Sequence, residues 1–326
     1  MQPRAPSSKP AHPLHIDGLW LRKFAYLGSA YAPEWFKRSA PHLIAALTFA
    51  LVAENRRAAV RNLERVLSAD RFTAHWAALR MFSEFAVCMS ETMEHFSSRA
   101  KPMQIERPRE DAVLEALAAG RGAVVVTGHI GSWDIAAKTL HEAPCRVHLV
   151  MARERDAGAQ EFVAAARMRA GVEVVLSDAS VYSSLGLVRA LQRNEVVAIQ
   201  LDRPAGAGGV RLLPFLGAPA PFPSGPFVLA RLAGAPVIPV FAPRLGRRHY
   251  RIQIGRPVEV PSAARDPRVL DRVMLEVTSQ LEETVRRYPW QWFQFAPFWP
   301  EPADGVPAAS AASGRPASAD RYGLRK

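Results

Sequence analysis

The sequence predicts an α/β fold with a mostly parallel central sheet flanked by helices, preceded by an N-terminal helical segment. Short Val-rich runs at 123–126, 147–151, 172–176 and 196–201 alternate with helical patterns at 135–140, 161–168 and 185–191, the rhythm of βαβ units. Residues 14–119 carry apolar side chains at helical spacing instead. With 49% of its 326 residues hydrophobic and 22% charged, the chain has material for a core and is not wholly disordered.

Four segments follow from composition. Residues 1–13, MQPRAPSSKPAHP, lack the apolar stretch of a signal peptide and read as a flexible, disordered leader. Residues 14–119 form the helical segment and 120–300 the α/β core. Residues 301–326, rich in Pro, Ala, Ser and Gly, are expected to be disordered. In the helical segment Trp20, Phe24 and Leu27 recur at helical spacing, and Trp35 and Phe36 stand beside Lys37 and Arg38. Such mixed aromatic and basic residues suit a membrane surface as well as a core. The uncharged stretch 39–53 is shorter than the roughly 20 residues of a spanning helix. The stripe Trp76, Leu79, Phe82, Phe85 and Met89 is expected to pack in the core. Further on, a helix is expected near Ser224, strands at 237–241 and 250–254, and an amphipathic helix over 268–287.

Lys and Arg total 42 against 30 acids, a formal charge of +12 that favours an anionic partner: phospholipid, phosphorylated substrate or nucleic acid. No RNA-binding aromatic motif or zinc finger accompanies the charge, so nucleic acid is not the expected partner. Cys88 and Cys145 form neither a disulfide framework nor a CxxC pair, and no metal or other cofactor is expected.

The stretch richest in chemistry is Val124-Val-Val-Thr-Gly-His129-Ile-Gly-Ser-Trp-Asp134. A buried strand runs into a turn with Gly128 and Gly131, and a helix opens near Ser132. His129 then stands at the carboxyl end of a strand, where open α/β sheets place their ligands. Asp134, in the first helical turn, is positioned to reach back to the imidazole, fix its tautomer and leave the other nitrogen as general base. The spacing alone is weak, since nine histidines and 30 acids give roughly one match by chance. His12 and Asp17 are such a match, near the leader; only His129 and Asp134 sit on a strand–turn–helix.

These residues, with several later blocks in order, resemble the bacterial lipid A biosynthesis (lauroyl/myristoyl-type) acyltransferases of the lysophospholipid acyltransferase superfamily. The resemblance spans about 15–300. It rests on Asn55-Arg-Arg-Ala-Ala-Val-Arg-Asn62-Leu, Gly128-His129-x4-Asp134, Arg153 with Arg167-Met-Arg169-x-Gly171, Asp202-Arg203-Pro, Leu213-Pro-Phe-Leu-Gly217, Pro223-Ser224-Gly225-Pro, the run 229–239 and Tyr288-Pro-Trp-Gln-Trp292. It implies a glycerol-3-phosphate acyltransferase-like fold with its helical segment facing a membrane. It also implies transfer of a fatty acyl group from an acyl carrier protein or coenzyme A thioester to a lipid hydroxyl. The implied location is the cytoplasmic face of a bacterial inner membrane, with the protein peripheral or monotopic. A lipid A precursor or related glycolipid is the expected acceptor. A lysophospholipid, a phosphatidylinositol mannoside-type glycolipid or a secondary-metabolite lipid keeps the chemistry and changes the acceptor. A non-catalytic protein binding anionic lipid or nucleic acid is the distant alternative.

On that resemblance His129 is the base and Asp134 its orienting acid. The backbone N–H groups of Gly131 and Ser132 are candidates for an oxyanion hole. Arg153 and Arg167 are expected to contact phosphate, Asp202 and Arg203 to line the acceptor site, and Ser224 and Gly225 to border it. The family often has Asp-Gln or Asp-His where this chain has Asp202-Arg203. The stretch 221–226 is expected to form a rigid turn with no regular element, with Ser224 as N-cap of the next helix. The cluster Arg244, Arg247, Arg248, Arg251 and Arg256 is expected on a solvated or headgroup-facing surface, with His249 structural.

Overall fold

The computed structural model describes residues 19–108, 111–141, 145–151, 161, 164, 172–176, 181–203 and 209–300. The leader, the tail and most of the helical pattern at 161–168 lie outside the described residues. The N-terminal layer comprises α1 (Leu19–Tyr31), α2 (Glu34–Leu51), α3 (Ala53–Leu67) and α4 (Arg71–His95). Helix α4 begins where the Asp70 carboxylate accepts the Thr73 N–H at 2.7 Å. It packs against α1, α2 and α3 and buries Ala74, Ala78, Met81 and Cys88. That choice of face corrects the stripe expected from sequence. Phe82 is buried, but Trp76, Phe85 and Met89 are exposed, because small side chains on α4 let its neighbours approach closely.

Helix α2 has two apolar faces. Pro41, Ala45 and Phe49 are buried on one. Leu43, Ile44, Leu47 and Leu51 occupy the other and are each more than half exposed, as are Phe24 and Tyr31 on α1. No described helix is long and apolar enough to cross a membrane.

Residues 14–119 are not all helical. Strand β1 (Gln104–Glu106) lies among them, followed by the short helix α5 (Ala112–Ala118). The central sheet is mixed and six-stranded. Its strands are β2 (Ala123–Thr127), β3 (Val147–Met151), β4 (Val172–Leu176), β5 (Val196–Gln200), β8 (Val237–Phe241) and β11 (Gln253–Ile254), in the order β11-β8-β2-β5-β3-β4. All neighbours pair parallel except the edge strand β11, which is antiparallel to β8. Strand β2 is buried along its whole length. Val124 and Val126 join the core on one face, and Ala123 and Val125 the core on the other. Helix α6 (Trp133–His141) follows β2, and α7 (Val181–Gln192) precedes β5.

The proline-rich stretch forms a regular element, against expectation. Strands β6 (Val210–Phe215) and β7 (Ala218–Pro223) make an antiparallel ribbon in which Pro223 faces Val210, Pro221 faces Leu212 and Pro219 faces Pro214. The prolines fall on alternate residues, so all sit in one class of pairs. A pair of two prolines cannot exchange N–H···O bonds, which makes this the non-hydrogen-bonded class and leaves the ladder intact. Helix α8 (Gly225–Ala233) follows.

The strand expected over 250–254 is divided between β11 and a separate small sheet. There β9 (Arg244–Gly246) and β10 (His249–Arg251) form a hairpin whose second strand pairs parallel with β1. This sheet docks on the helical layer through ion pairs. Arg248 grips the buried Glu94 carboxylate with Nε and Nη2 at 2.8 and 2.9 Å, and Lys37 of α2 reaches the same group at 2.8 Å. Arg244 Nε and the Tyr250 hydroxyl donate to Glu91 at 3.0 and 2.7 Å. Arg247 and Arg248 also pair with Glu34. At these positions the expected solvated Arg surface is instead a network that joins two layers, whereas Arg256 is exposed. His249 pairs with Glu106 at 2.7 Å.

Helix α9 (Pro267–Arg287) buries Val273, Val277, Leu281 and Val285. After it comes a single 3-10 turn, Pro289–Gln291, and an aromatic strap over 292–299. Asn62 of α3 holds the strap. Its Nδ2 donates to the Gln294 and Ala296 carbonyls at 3.1 and 2.8 Å, and its Oδ1 accepts the Phe298 N–H at 3.2 Å. Earlier on the same helix, Asn55 donates to the Phe295 carbonyl at 3.0 Å. Asn62→Ala leaves these groups without partners and is expected to cost about 2 kcal/mol of stability. Urea unfolding checks it, as a lower midpoint at an unchanged slope.

Candidate active site

Two adjacent strand ends create the site. Parallel pairing of β2 with β5 sets Thr127 opposite Gln200, and the Leu201 N–H extends the ladder to the Thr127 carbonyl at 2.8 Å. His129 and Asp202 each lie two residues beyond that rung, so the chain delivers them side by side. His129 Nδ1 pairs with Asp202 Oδ1 at 2.7 Å, and the His129 backbone N–H donates to Oδ2 at 2.7 Å. The Asp202 side chain is fully buried, whereas the His129 side chain keeps 16% of its surface exposed. Solvent therefore reaches the ring but not the acid.

Burial would raise the Asp202 carboxyl. The charge of His129, its two hydrogen bonds and the charge of Arg203 outweigh that, bringing it from 3.8 down to about 2. Ionised Asp202 can only accept, so Nδ1 carries the proton and donates it. In the neutral ring the lone pair is then left on Nε2.

The turn that carries His129 is held from three sides. The Gly131 N–H donates to the Gln291 carbonyl at 3.1 Å, the Ser132 N–H to the Ala242 carbonyl at 3.1 Å, and the Phe293 N–H to the His129 carbonyl at 2.8 Å. The glycines are needed here. Gly131 has a φ of +60°, and a Cβ on it would collide with the Ala242 carbonyl oxygen. A Cβ on Gly128 would lie 2.8 Å from Leu281 Cδ1 and 3.2 Å from Asp202 Oδ2.

Several expected site residues stand differently in the folded chain. The Gly131 and Ser132 N–H groups are spent on backbone carbonyls, so as they stand they are not free to serve an oxyanion. Asp134 lies half-buried in the first turn of α6, while the carboxylate that meets the His129 ring is Asp202. Arg203 stays close to the site: it is exposed, and its Nη2 donates to the Phe293 carbonyl at 3.2 Å. Ser224 precedes α8 but makes no side-chain cap; its Oγ and backbone N–H both donate to the Gly209 carbonyl, at 2.9 and 2.8 Å. Among the described residues no hydrogen bond links Ser224 or Gly225 to the His129–Asp202 pair. Arg153 and Arg167 fall outside the described residues. Among those described, no group of three or more His, Cys, Asp or Glu is placed to hold a metal ion.

The sequence marks the Tyr288–Trp292 block but not the strap's contacts with Asp202. Trp292 Nε1 donates to Asp202 Oδ2 at 2.9 Å, and Gln294 Nε2 to the Asp202 carbonyl at 2.9 Å. Gln291, also buried, exchanges hydrogen bonds with the Arg244 backbone, Oε1 accepting at 2.7 Å and Nε2 donating at 2.7 Å. The available signal is two glutamines inside a run of aromatics, since buried amides need partners.

A partly exposed imidazole at the carboxyl edge of an α/β sheet, backed by a buried carboxylate, is an arrangement suited to general-base chemistry. The model of the bacterial lipid A biosynthesis acyltransferase family matches residues 7–300, and the chain belongs to that family. The family supports acyltransferase activity on a lipid acceptor with an acyl thioester as donor. No curated protein matches the chain.

The depressed Asp202 carboxyl gives a pH test. Its stabilising contribution is complete above 3.8 and is lost as pH falls toward about 2. In Asp202→Asn that part of the acid unfolding curve should vanish, giving a flatter stability profile than the parent between those two values. Circular dichroism across the range measures it.

Proposed function

We propose that the protein transfers a fatty acyl group from an acyl carrier protein or coenzyme A thioester to a hydroxyl of a lipid A precursor or related glycolipid. The observation that carries the reading is the hydrogen bond from the His129 ring to buried, ionised Asp202, in a chain of this family. Nε2 of His129 takes the proton of the acceptor hydroxyl as the oxygen attacks the thioester carbonyl carbon. The tetrahedral intermediate collapses with cleavage of the C–S bond. Nε2 returns the proton to the thiolate, leaving an ester and a free thiol. Asp202 holds the ring in the Nδ1–H tautomer and offsets the charge on imidazolium. We assign that role to Asp202 rather than to Asp134. Asp134 stands in the first turn of α6, where a carboxylate favours the positive end of the helix.

His129→Ala should abolish acyl transfer while folding is kept. Asp202→Asn should lower kcat by about a hundredfold or more and Asp134→Asn by less, since Asp202 is the acid paired with Nδ1. Turnover assays offering both donor types measure this; retained activity in His129→Ala rejects the mechanism.

We further propose that the outer faces of α1 and α2 rest on the cytoplasmic leaflet of the inner membrane. Leu43, Ile44 and Leu47 lie on one exposed stripe, and the chain's net charge of +12 suits anionic headgroups. The paired change Leu43→Glu and Leu47→Glu should cut binding to anionic phosphatidylglycerol vesicles at least about tenfold without unfolding the protein, as judged by vesicle co-sedimentation.

A further inference from the structure

The acid that orients His129 needs an anchor outside His129. Two of the donors on the Asp202 carboxylate, the ring Nδ1 and the backbone N–H, come from His129 itself. A carboxylate held only by the residue it orients can rock together with that residue. Among the described residues the donor from elsewhere is the indole of Trp292, whose Nε1 lies 2.9 Å from Oδ2. Trp292 is 1% exposed and packed against Phe215 and Phe298, with ring centroids 5.9 and 5.0 Å away. Packing of that kind needs an aromatic ring but no N–H. A buried indole N–H without an acceptor would be a cost, and here its acceptor is the carboxylate behind His129. The strap that carries Trp292 is fixed independently through Asn62, and a bridge joins Ile130 to Trp292. The indole is therefore referenced to the helical layer as well as to the sheet.

We infer that Trp292 is a positioning residue of the reaction: its indole N–H fixes Asp202 Oδ2, and through that carboxylate the aim of the His129 ring. This role rests on the proposed His129–Asp202 chemistry.

The test removes the N–H and little else. Replacing Trp292 with 3-benzothienylalanine, which carries sulfur in place of the indole N–H, keeps the ring system and its packing. Trp292→Phe is the simpler companion. With the full-length protein and a long-chain acyl thioester donor, the isostere should lower kcat about tenfold, the loss expected for one hydrogen bond to a charged group, with KM within about twofold. In an Asp202→Asn background the same replacement should change kcat by less than about twofold, because the bond it removes no longer bears on catalysis. Equal kcat for the isostere and the parent, or the same loss in both backgrounds, overturns the inference and leaves Trp292 a packing residue. If Trp292→Phe fails to fold, the isostere still decides. Activity retained in His129→Ala would instead reject the underlying chemistry, an outcome distinct from an isostere that is inert in an enzyme requiring His129.

Discussion

One buried negative charge, the Asp202 carboxylate, sets the terms for the rest of the site. An ionised group with no solvent contact is costly unless its lone pairs are met. Here Oδ1 meets the His129 ring, Oδ2 meets the His129 amide and the Trp292 indole, and the residue's own carbonyl meets Gln294. These donors come from the turn after β2 and from the C-terminal strap. Both must be in place for the charge to be tolerated, which ties the chain's last described segment to the turn that carries His129. Gly128 follows from the same constraint, since a side chain there would press on Asp202 and Leu281.

The helical layer serves this arrangement from behind. Asn55 and Asn62 on α3 grip the strap, and the Glu91 and Glu94 carboxylates on α4 grip the β9–β10 hairpin. Helix α2 is tied in through Lys37 on Glu94 and presents its other face outward. A helix with two apolar faces is satisfied only when both are covered. One is covered by α4, and the reading of a membrane-resting enzyme supplies a partner for the other.

Much of the fold is legible in the sequence because its signals are local. Val-rich strands at 147–151 and 172–176, and the Val face of 268–287, are periodic patterns that burial alone enforces. The turn around His129 is legible for the same reason, standing between a strand and a helix with glycines at its close contacts. The Asp202–His129 pairing is not local. It depends on β5 being the neighbour of β2 although β3 and β4 intervene in the chain, and strand order is not written in spacing. Without that information the nearer acid, Asp134, is the natural choice. The oxyanion amides mislead for a related reason: a glycine turn offers N–H groups, but Gln291 and Ala242, distant in sequence, already claim them. The arginines of the β9–β10 hairpin read as surface because their partners on α4 lie more than 150 residues earlier.

The proposed mechanism requires that Asp202 hold His129 as the Nδ1–H tautomer with Nε2 free to accept a proton, and every later step of it depends on that. Long-range nitrogen–proton correlation NMR on protein with 15N-labelled histidine, assigned through His129→Gln, reads the tautomer directly in the resting enzyme. A protonated Nδ1 and an unprotonated Nε2 are predicted for the neutral ring. A neutral ring protonated on Nε2 would contradict the assignment of Asp202 as the orienting acid.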